Sequence, residues 1–251
     1  MRKPTRRVRA ELQCVVLLVG VLVPIHIAEA YEVDPAIAGV TVSGRVTYTG
    51  GQPKPERVLV HRDSKFCGET VSIDKVQVDR TSRGLEGVVI SLEGIEKGKP
   101  LSPNETIITF ENRTCRFVPR TNAAVVGSIL EIRNNDPILH NTHIRVDDRS
   151  GPTVINVVQP AGAGVIRKLL RTVGFFDIRC DAHTFMRASI QTFDHPYFAV
   201  TDHVGRYEMT QVPPGSYRVR MWHETLGVQT KTITVPSTVS LTVDLELSPE
   251  E

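Results

Sequence analysis

The sequence predicts an all-β protein made of sandwiches, and three observations lead there. Val, Ile, Thr and Phe dominate its apolar runs, as the pleated, half-buried surface of a strand favours. Gly, Pro, Asn and Asp punctuate those runs at short intervals. No stretch sustains a helical period beyond about three turns.

In chain order, "VTVSGRVTYTG" (40–50) alternates and ends in a Gly-Gly turn, and "GVVISLEG" (87–94) is a short apolar run between glycines. "TIITFENRTCRFVP" (106–119) and "SILEIRNND" (128–136) follow, each closed by turn residues. "NTHIRV" (141–146), "VINVVQP" (154–160), "VGFFDIRC" (173–180) and "RASIQTF" (187–193) complete the middle of the chain. From His195 onward the strands shorten around the turns "DHVG" and "PPG". The tail then closes with "TVSLTVDLEL", whose Leu241, Val243, Leu245 and Leu247 fall on one face. A domain boundary is expected near residue 195, and about fifty-five residues make a thin sandwich on their own.

Residues 1–30 read as a secretory signal. "MRKPTRRVR" is basic, "CVVLLVGVLV" is a short apolar run, and "AEA" at 28–30 offers small-x-small cleavage after Ala30. The apolar run is too short to span a bilayer, so no membrane span is expected once the signal is removed. An exported, periplasmic protein is the expectation. Removal takes five Lys/Arg and two Glu from totals of 30 and 28, leaving 25 against 26 and a net charge of −1. Such a balance gives no electrostatic case for binding nucleic acid.

Three cysteines then remain: Cys67, Cys115 and Cys180. In an oxidising compartment two of them are expected to pair. A Cys67–Cys115 disulfide is the economical pairing and leaves Cys180 free; either other pairing would consume it.

Cys180 opens "CDAHTFM", with His183 and Met186 at three-residue spacing. Thiolate, imidazole and thioether together favour copper over hard ions. A further imidazole is available about forty residues upstream in "NNDPILHNTH", from His140 or His143. A lone Cys-x-x-His is commonly structural, and a nearby methionine is commonly core filler. His143, if only a strand residue, is expected to meet solvent at a sheet edge.

The stretch 115–193 resembles the cupredoxins, the blue-copper, plastocyanin-like fold. The residues that carry the likeness are "FVP" (117–119), "VVGSILEIRNND" (125–136), "HN" (140–141), and "CDAHTFM" (180–186) before a closing strand. The resemblance implies a Greek-key β-sandwich holding one copper ion. His140, Cys180 and His183 would be equatorial ligands, Met186 the weak axial one, and Asn141 the tie between the two ligand loops. His143 stands as an alternative ligand. Plastocyanin-like members usually place more than two residues between the histidine and the methionine, so this chain departs from the pattern at Met186. A His-x-x-Met ending also occurs in the binuclear copper loop of respiratory oxidases, but that loop carries two cysteines.

The tail "TDHVGRYEMTQVPPGSYRVRM" (201–221) resembles carboxypeptidase regulatory-like, transthyretin-like (prealbumin-like) sandwiches. The opening strand pair of that fold is matched instead by "SGRVTYTGGQPKPERVLV" (43–60). The expected organisation is a strand pair in 31–62, a cupredoxin-like domain over 63–194, and a transthyretin-like domain over 195–251. Whether the strand pair stands apart or completes the C-terminal domain, with the copper-like domain inserted in it, is left open by the sequence. The combination is similar to exported methylamine-utilisation-like proteins, which often carry "CRF-x-PH"; here Arg120 stands in place of that histidine. His195, His203 and His223 are read as surface or packed hydrogen-bonding groups, with a second metal as the alternative.

The expected function is an electron carrier or copper-handling protein rather than an enzyme. Its expected partner is a periplasmic redox protein such as a c-type cytochrome. The alternative is a metal-free β-sandwich module that binds a carbohydrate or a partner protein.

Overall fold

The structure, a computed structural model, describes residues 31–101 and 106–249; the signal expected over 1–30 lies outside them. The chain begins with β1 (Glu32–Val33), β2 (Val40–Tyr48), β3 (Glu56–Leu59), the single-turn helix α1 (Ser64–Cys67), β4 (Thr70–Ile73), β5 (Val89–Glu93) and β6 (Lys97–Gly98). The middle holds β7 (Ile107–Asn112), β8 (Phe117–Val118), β9 (Thr121–Val125), β10 (Ile129–Asn134), β11 (His140–Val146), β12 (Thr153–Gln159), β13 (Ile166–Leu169), β14 (Gly174–Arg179) and β15 (Arg187–Phe193). The last stretch holds β16 (Phe198–Val200), β17 (Arg206–Val212), β18 (Gly215–His223), β19 (Gly227–Val235), β20 (Leu241–Thr242) and β21 (Leu245–Leu247). The all-β class is as the sequence predicts. No helix of the described residues is long and apolar enough to cross a membrane.

Two apolar cores form. In one, the sheet β13-β10-β7-β8 faces the sheet β12-β11-β14-β15-β9. Phe110, Leu130 and Ile132 of the first meet Ile144, Phe176, Ile178 and Ile190 of the second. The alternation of strand side chains fixes which residues point inward. Register aligns Ile144, Ile178 and Ala188 across β11, β14 and β15, so this row is the inner one.

The other core lies between β16-β5-β18-β19 and β17-β2-β20, with β21 also on β2. Val42, Val46, Tyr207 and Leu245 pack there against Ile90, Leu92, Val219 and Ile233. Thus β2 joins the C-terminal strands, and so does β5, which hydrogen-bonds to β16 and β18. The expected boundary at residue 63 placed β5 in the middle segment. Its Val89, Ile90 and Leu92 are fully buried, and the structure puts Ile90 and Leu92 in the C-terminal core. The middle sandwich is therefore an insertion after β6, and its strands begin at β7.

A hairpin, β3–β4, and helix α1 reach from this second unit towards the first. Cys67 at the end of α1 is disulfide-bonded to Cys115, and Cys180 is free. The two units also meet through Phe175 and Trp222, 4.9 Å apart at their ring centroids, and through the Arg120–Glu224 ion pair at 2.8 Å.

Candidate metal centre

The inward rows of three strands lead to one point at the end of the middle sandwich. Cys180 continues the row Phe176–Ile178 just beyond β14, and Met186 precedes Ala188 in the row of β15. His140 opens β11 in the row of Thr142 and Ile144. All three are buried, as is His183 in the turn between β14 and β15. The turn is closed by the Met186 amide donating to the His183 carbonyl at 2.9 Å.

The donor atoms of His140, Cys180 and His183 lie within 4.8 Å of one another. Nδ1 of His183 is 3.6 Å from Cys180 Sγ, and Nδ1 of His140 is 4.0 Å from it. A thiolate and an imidazole bound to one first-row metal ion sit about 3.6–3.8 Å apart, given bond lengths near 2.3 and 2.05 Å. The residues present thus fit a metal ion in donor type, with the His183 spacing inside that range and the His140 spacing slightly longer. Met186 is packed in the same core as Cys180.

Each histidine is held from behind by a carboxylate. His140 Nε2 is 2.8 Å from Asp136 Oδ2, and His183 Nε2 is 3.1 Å from Asp63 Oδ2. With the ring proton on Nε2, directed at the carboxylate, the Nδ1 lone pair faces the sulfur. Asp136 does more than orient His140. Its two carboxylate oxygens accept the amides of Thr114 and Cys115 at 2.6 and 2.9 Å. Those two residues both adopt positive φ, 50° and 55°, which turns successive N–H groups towards one anion.

Asn141 joins the two loops. Its amide donates to Cys180 Sγ at 3.4 Å, and its side-chain oxygen accepts the Asp181 amide at 2.5 Å. Burial pushes the Cys180 thiol pKa up, against the amides that point at its sulfur. Burial likewise lowers the His140 pKa, opposed by Asp136 and reinforced by His183. A buried thiolate beside two neutral imidazoles is unfavourable without a compensating positive charge.

His143 is not part of this group. Three residues from His140, it falls on the opposite face of β11. There its Nδ1 meets Asp181 at 3.0 Å and its Nε2 meets Thr153 at 2.7 Å. Nor is it at a sheet edge in contact with solvent: β11 lies between β12 and β14, and His143 is buried.

His195 and His223 are buried hydrogen-bonding residues, each accepting a backbone amide at Nδ1, from Tyr197 and Thr225 respectively. Arg120, at the position where the sequence resemblance led to an expectation of histidine, binds Glu224 and the Asp74 carbonyl. Sequence reasoning gave no role to Asp136 or Asp63. Asp136 is visible as the acid four residues before His140, whereas Asp63 lies 120 residues from His183 and has no local signal.

Fold and site together define an all-β protein with a buried Cys-His-His cluster. No family model matches the chain, and no curated protein matches it. Among solved structures it is similar to the Cu-containing nitrite reductase NirK from Thermus scotoductus SA-01, at 23% identity and a TM-score of 0.30, over 38% of this chain and 24% of that one. It is also similar to amicyanin from Paracoccus versutus (Thiobacillus versutus), at 13% identity and a TM-score of 0.32, over 41% of this chain and 97% of that one. A reduced Cu(I) amicyanin variant matches at 14% identity and a TM-score of 0.31, over 41% of this chain and 98% of that one. The chain thus spans about a quarter of the nitrite reductase and nearly all of the amicyanins.

Proposed function

We propose that the protein binds one copper ion through His140, Cys180 and His183, with Met186 as a weak axial donor, and that it carries one electron in an exported compartment. The observation that carries this reading is the Cys180 sulfur flanked by two Nδ1 atoms whose rings are backed by Asp136 and Asp63. One thiolate, two imidazoles and a thioether are the donor set of a blue-copper electron-transfer centre.

Copper, when bound, would supply a one-electron couple. The chain's own residues would hold the donors in place while the charge changes. Asn141 ties the strand of His140 to the loop of Cys180, and the two carboxylates prevent ring rotation. All four donor side chains are buried, which limits access of water to them. Such an arrangement suits electron transfer better than bond chemistry, which needs an open coordination position.

We further read the unit built from β2, β5 and β16–β21 as a transthyretin-like sandwich that supports the copper domain. The partner is read as a periplasmic redox protein such as a c-type cytochrome.

The test is to add Cu(II) to the purified protein and record its visible spectrum. An intense thiolate-to-copper band is expected. Cys180→Ser should abolish it, and Met186→Leu should move it without removing it. No band, with Cys180 accessible to a thiol reagent under denaturing conditions and therefore unoxidised, overturns the reading.

A further inference from the structure

A cationic cavity lies beside the Cys180 loop, on the outer face of the five-stranded sheet. Register sets Arg179 of β14 directly opposite Arg187 of β15. Arg145 of β11 is opposite Asp177, one step diagonal to Arg179 on the same face. Like charges directly opposite each other destabilise a sheet unless something neutralises them. With Lys75, Arg120 and Arg149, these residues line a cavity of about 740 Å³ that Cys180 also lines. Its remaining walls come from the β3–β4 hairpin, the loop after Cys180 and the turn after β18.

Three acidic residues share the lining, and each is engaged. Glu56 pairs with Lys75, Glu224 with Arg120, and Asp181 with His143. Arg179 is held by Asp177 at 2.8 Å. Arg145, Arg149 and Arg187 form no close ion pair among the described residues, and Arg187 feels the Glu56 carboxylate only at longer range. Three unpaired guanidinium groups in one concavity match more than one oxyanion, because each planar fork can take a carboxylate or phosphate in a bidentate pair.

We infer that this cavity binds a small polyanion bearing two or more phosphate or carboxylate groups, with Arg145, Arg149 and Arg187 as its main contacts. A volume of this size falls within the roughly 300–1,000 Å³ of small-molecule sites. Walls drawn from distant chain segments enclose a small molecule, whereas a protein partner needs a broad, flatter surface. A single monoanion would leave two of the three guanidinium groups without a directly bonded counter-charge.

The test is calorimetric titration of the metal-free protein at low ionic strength, with inorganic pyrophosphate as the phosphate probe and citrate as the carboxylate probe. Because no metal is present, the result does not depend on the copper reading. Saturable one-to-one binding of at least one probe is expected, and it should weaken as NaCl is added. The double variant Arg145→Gln/Arg187→Gln should weaken it at least tenfold. Arg218→Gln, outside the cavity, should leave it unchanged. These arginines are half-exposed or exposed, so the double variant keeps its core, which far-ultraviolet circular dichroism checks. Absence of saturable binding of both probes, an unchanged affinity in the double variant, or an equal loss in the control would each overturn the proposal.

Discussion

At the scale of single residues, the candidate centre depends on two acids that do different amounts of structural work. Asp136 is buried and accepts two backbone amides besides facing His140. Asp136→Ala leaves at least one of those donors buried without a partner, and each such group costs about 1–3 kcal/mol. Loss of the ring's anchor should also reduce copper affinity about 10–100-fold. Asp63 is partly exposed, and among the described residues its carboxylate pairs with His183 and Arg62. Asp63→Ala should therefore lower copper affinity by a similar factor and, because Asp63 sits at φ 56°, cost about 1 kcal/mol in urea unfolding through backbone strain alone. Asp63→Asn, which keeps an acceptor and tolerates that backbone, should restore much of both. Competition with a chromophoric chelator, alongside unfolding curves, separates the two behaviours. His223 gives a pH prediction. Burial, with Arg120 nearby, pushes its pKa down to about 4 from the ordinary 6.5. Between those values the unfolded chain binds more protons, so the protein loses stability as pH falls from 6.5 towards 4 and regains it as pH rises. From pH 7 to pH 5 the loss from this group is about 2 kcal/mol. His223→Gln should remove that part of the slope, measured as the difference between variant and parent in denaturant unfolding at the two pH values.

At the scale of elements, strand parity explains most of what could be read in advance. The expected strand 187–193 coincides with β15, and those at 128–136 and 173–180 each enclose their observed counterparts. Parity also separates His140 from His143: counted back from Ile144, His140 is on the inner face and His143 on the outer. That signal was in the sequence once the strand was placed. Asp63 was not legible, because its contact with His183 depends on where β3, α1 and the disulfide return the chain. Nor was the membership of β5, since an apolar run fits either core until its hydrogen-bond partners are known. The closing alternation 241–247 kept its inward face yet is broken into β20 and β21. The break sits where Asp244 accepts the Arg45 amide and the Val243 carbonyl approaches Gly44 of β2. A Cβ on Gly44 would collide with that carbonyl and meet the ring of Tyr207. Gly44→Ala should therefore push β20–β21 from β2 and destabilise the protein by about 1–3 kcal/mol, the usual range for overpacking. Chemical denaturation measures the loss, and amide exchange should show it concentrated in β2 and β21.

At the scale of the whole molecule, two sandwiches with separate cores are joined where the candidate centre is completed. His140, Cys180, His183 and Met186 come from the middle sandwich, but Asp63 arrives on a segment rooted beside β3 and β4. The Cys67–Cys115 disulfide fastens that segment next to the turn that Asp136 holds, so the Nε2 anchors of both histidines converge on one bridge. The cysteines are 48 residues apart in sequence. Closing a loop of that length stabilises by about 4 kcal/mol in the chain-entropy model. Cys67→Ser/Cys115→Ser should therefore lower the unfolding free energy by about that amount. Copper affinity should fall too, although neither cysteine is a proposed ligand, because α1 would no longer be pinned and Asp63 would leave His183 for part of the time. The visible band, tested at saturating copper, should persist with its ligand set unchanged, whereas Cys180→Ser removes it altogether. A double variant that loses stability but binds copper as tightly as the parent would show that α1 keeps its place without the bridge. Asp63 would then be held by the local contacts of its own turn, where the amides of Phe66 and Cys67 donate to its carbonyl.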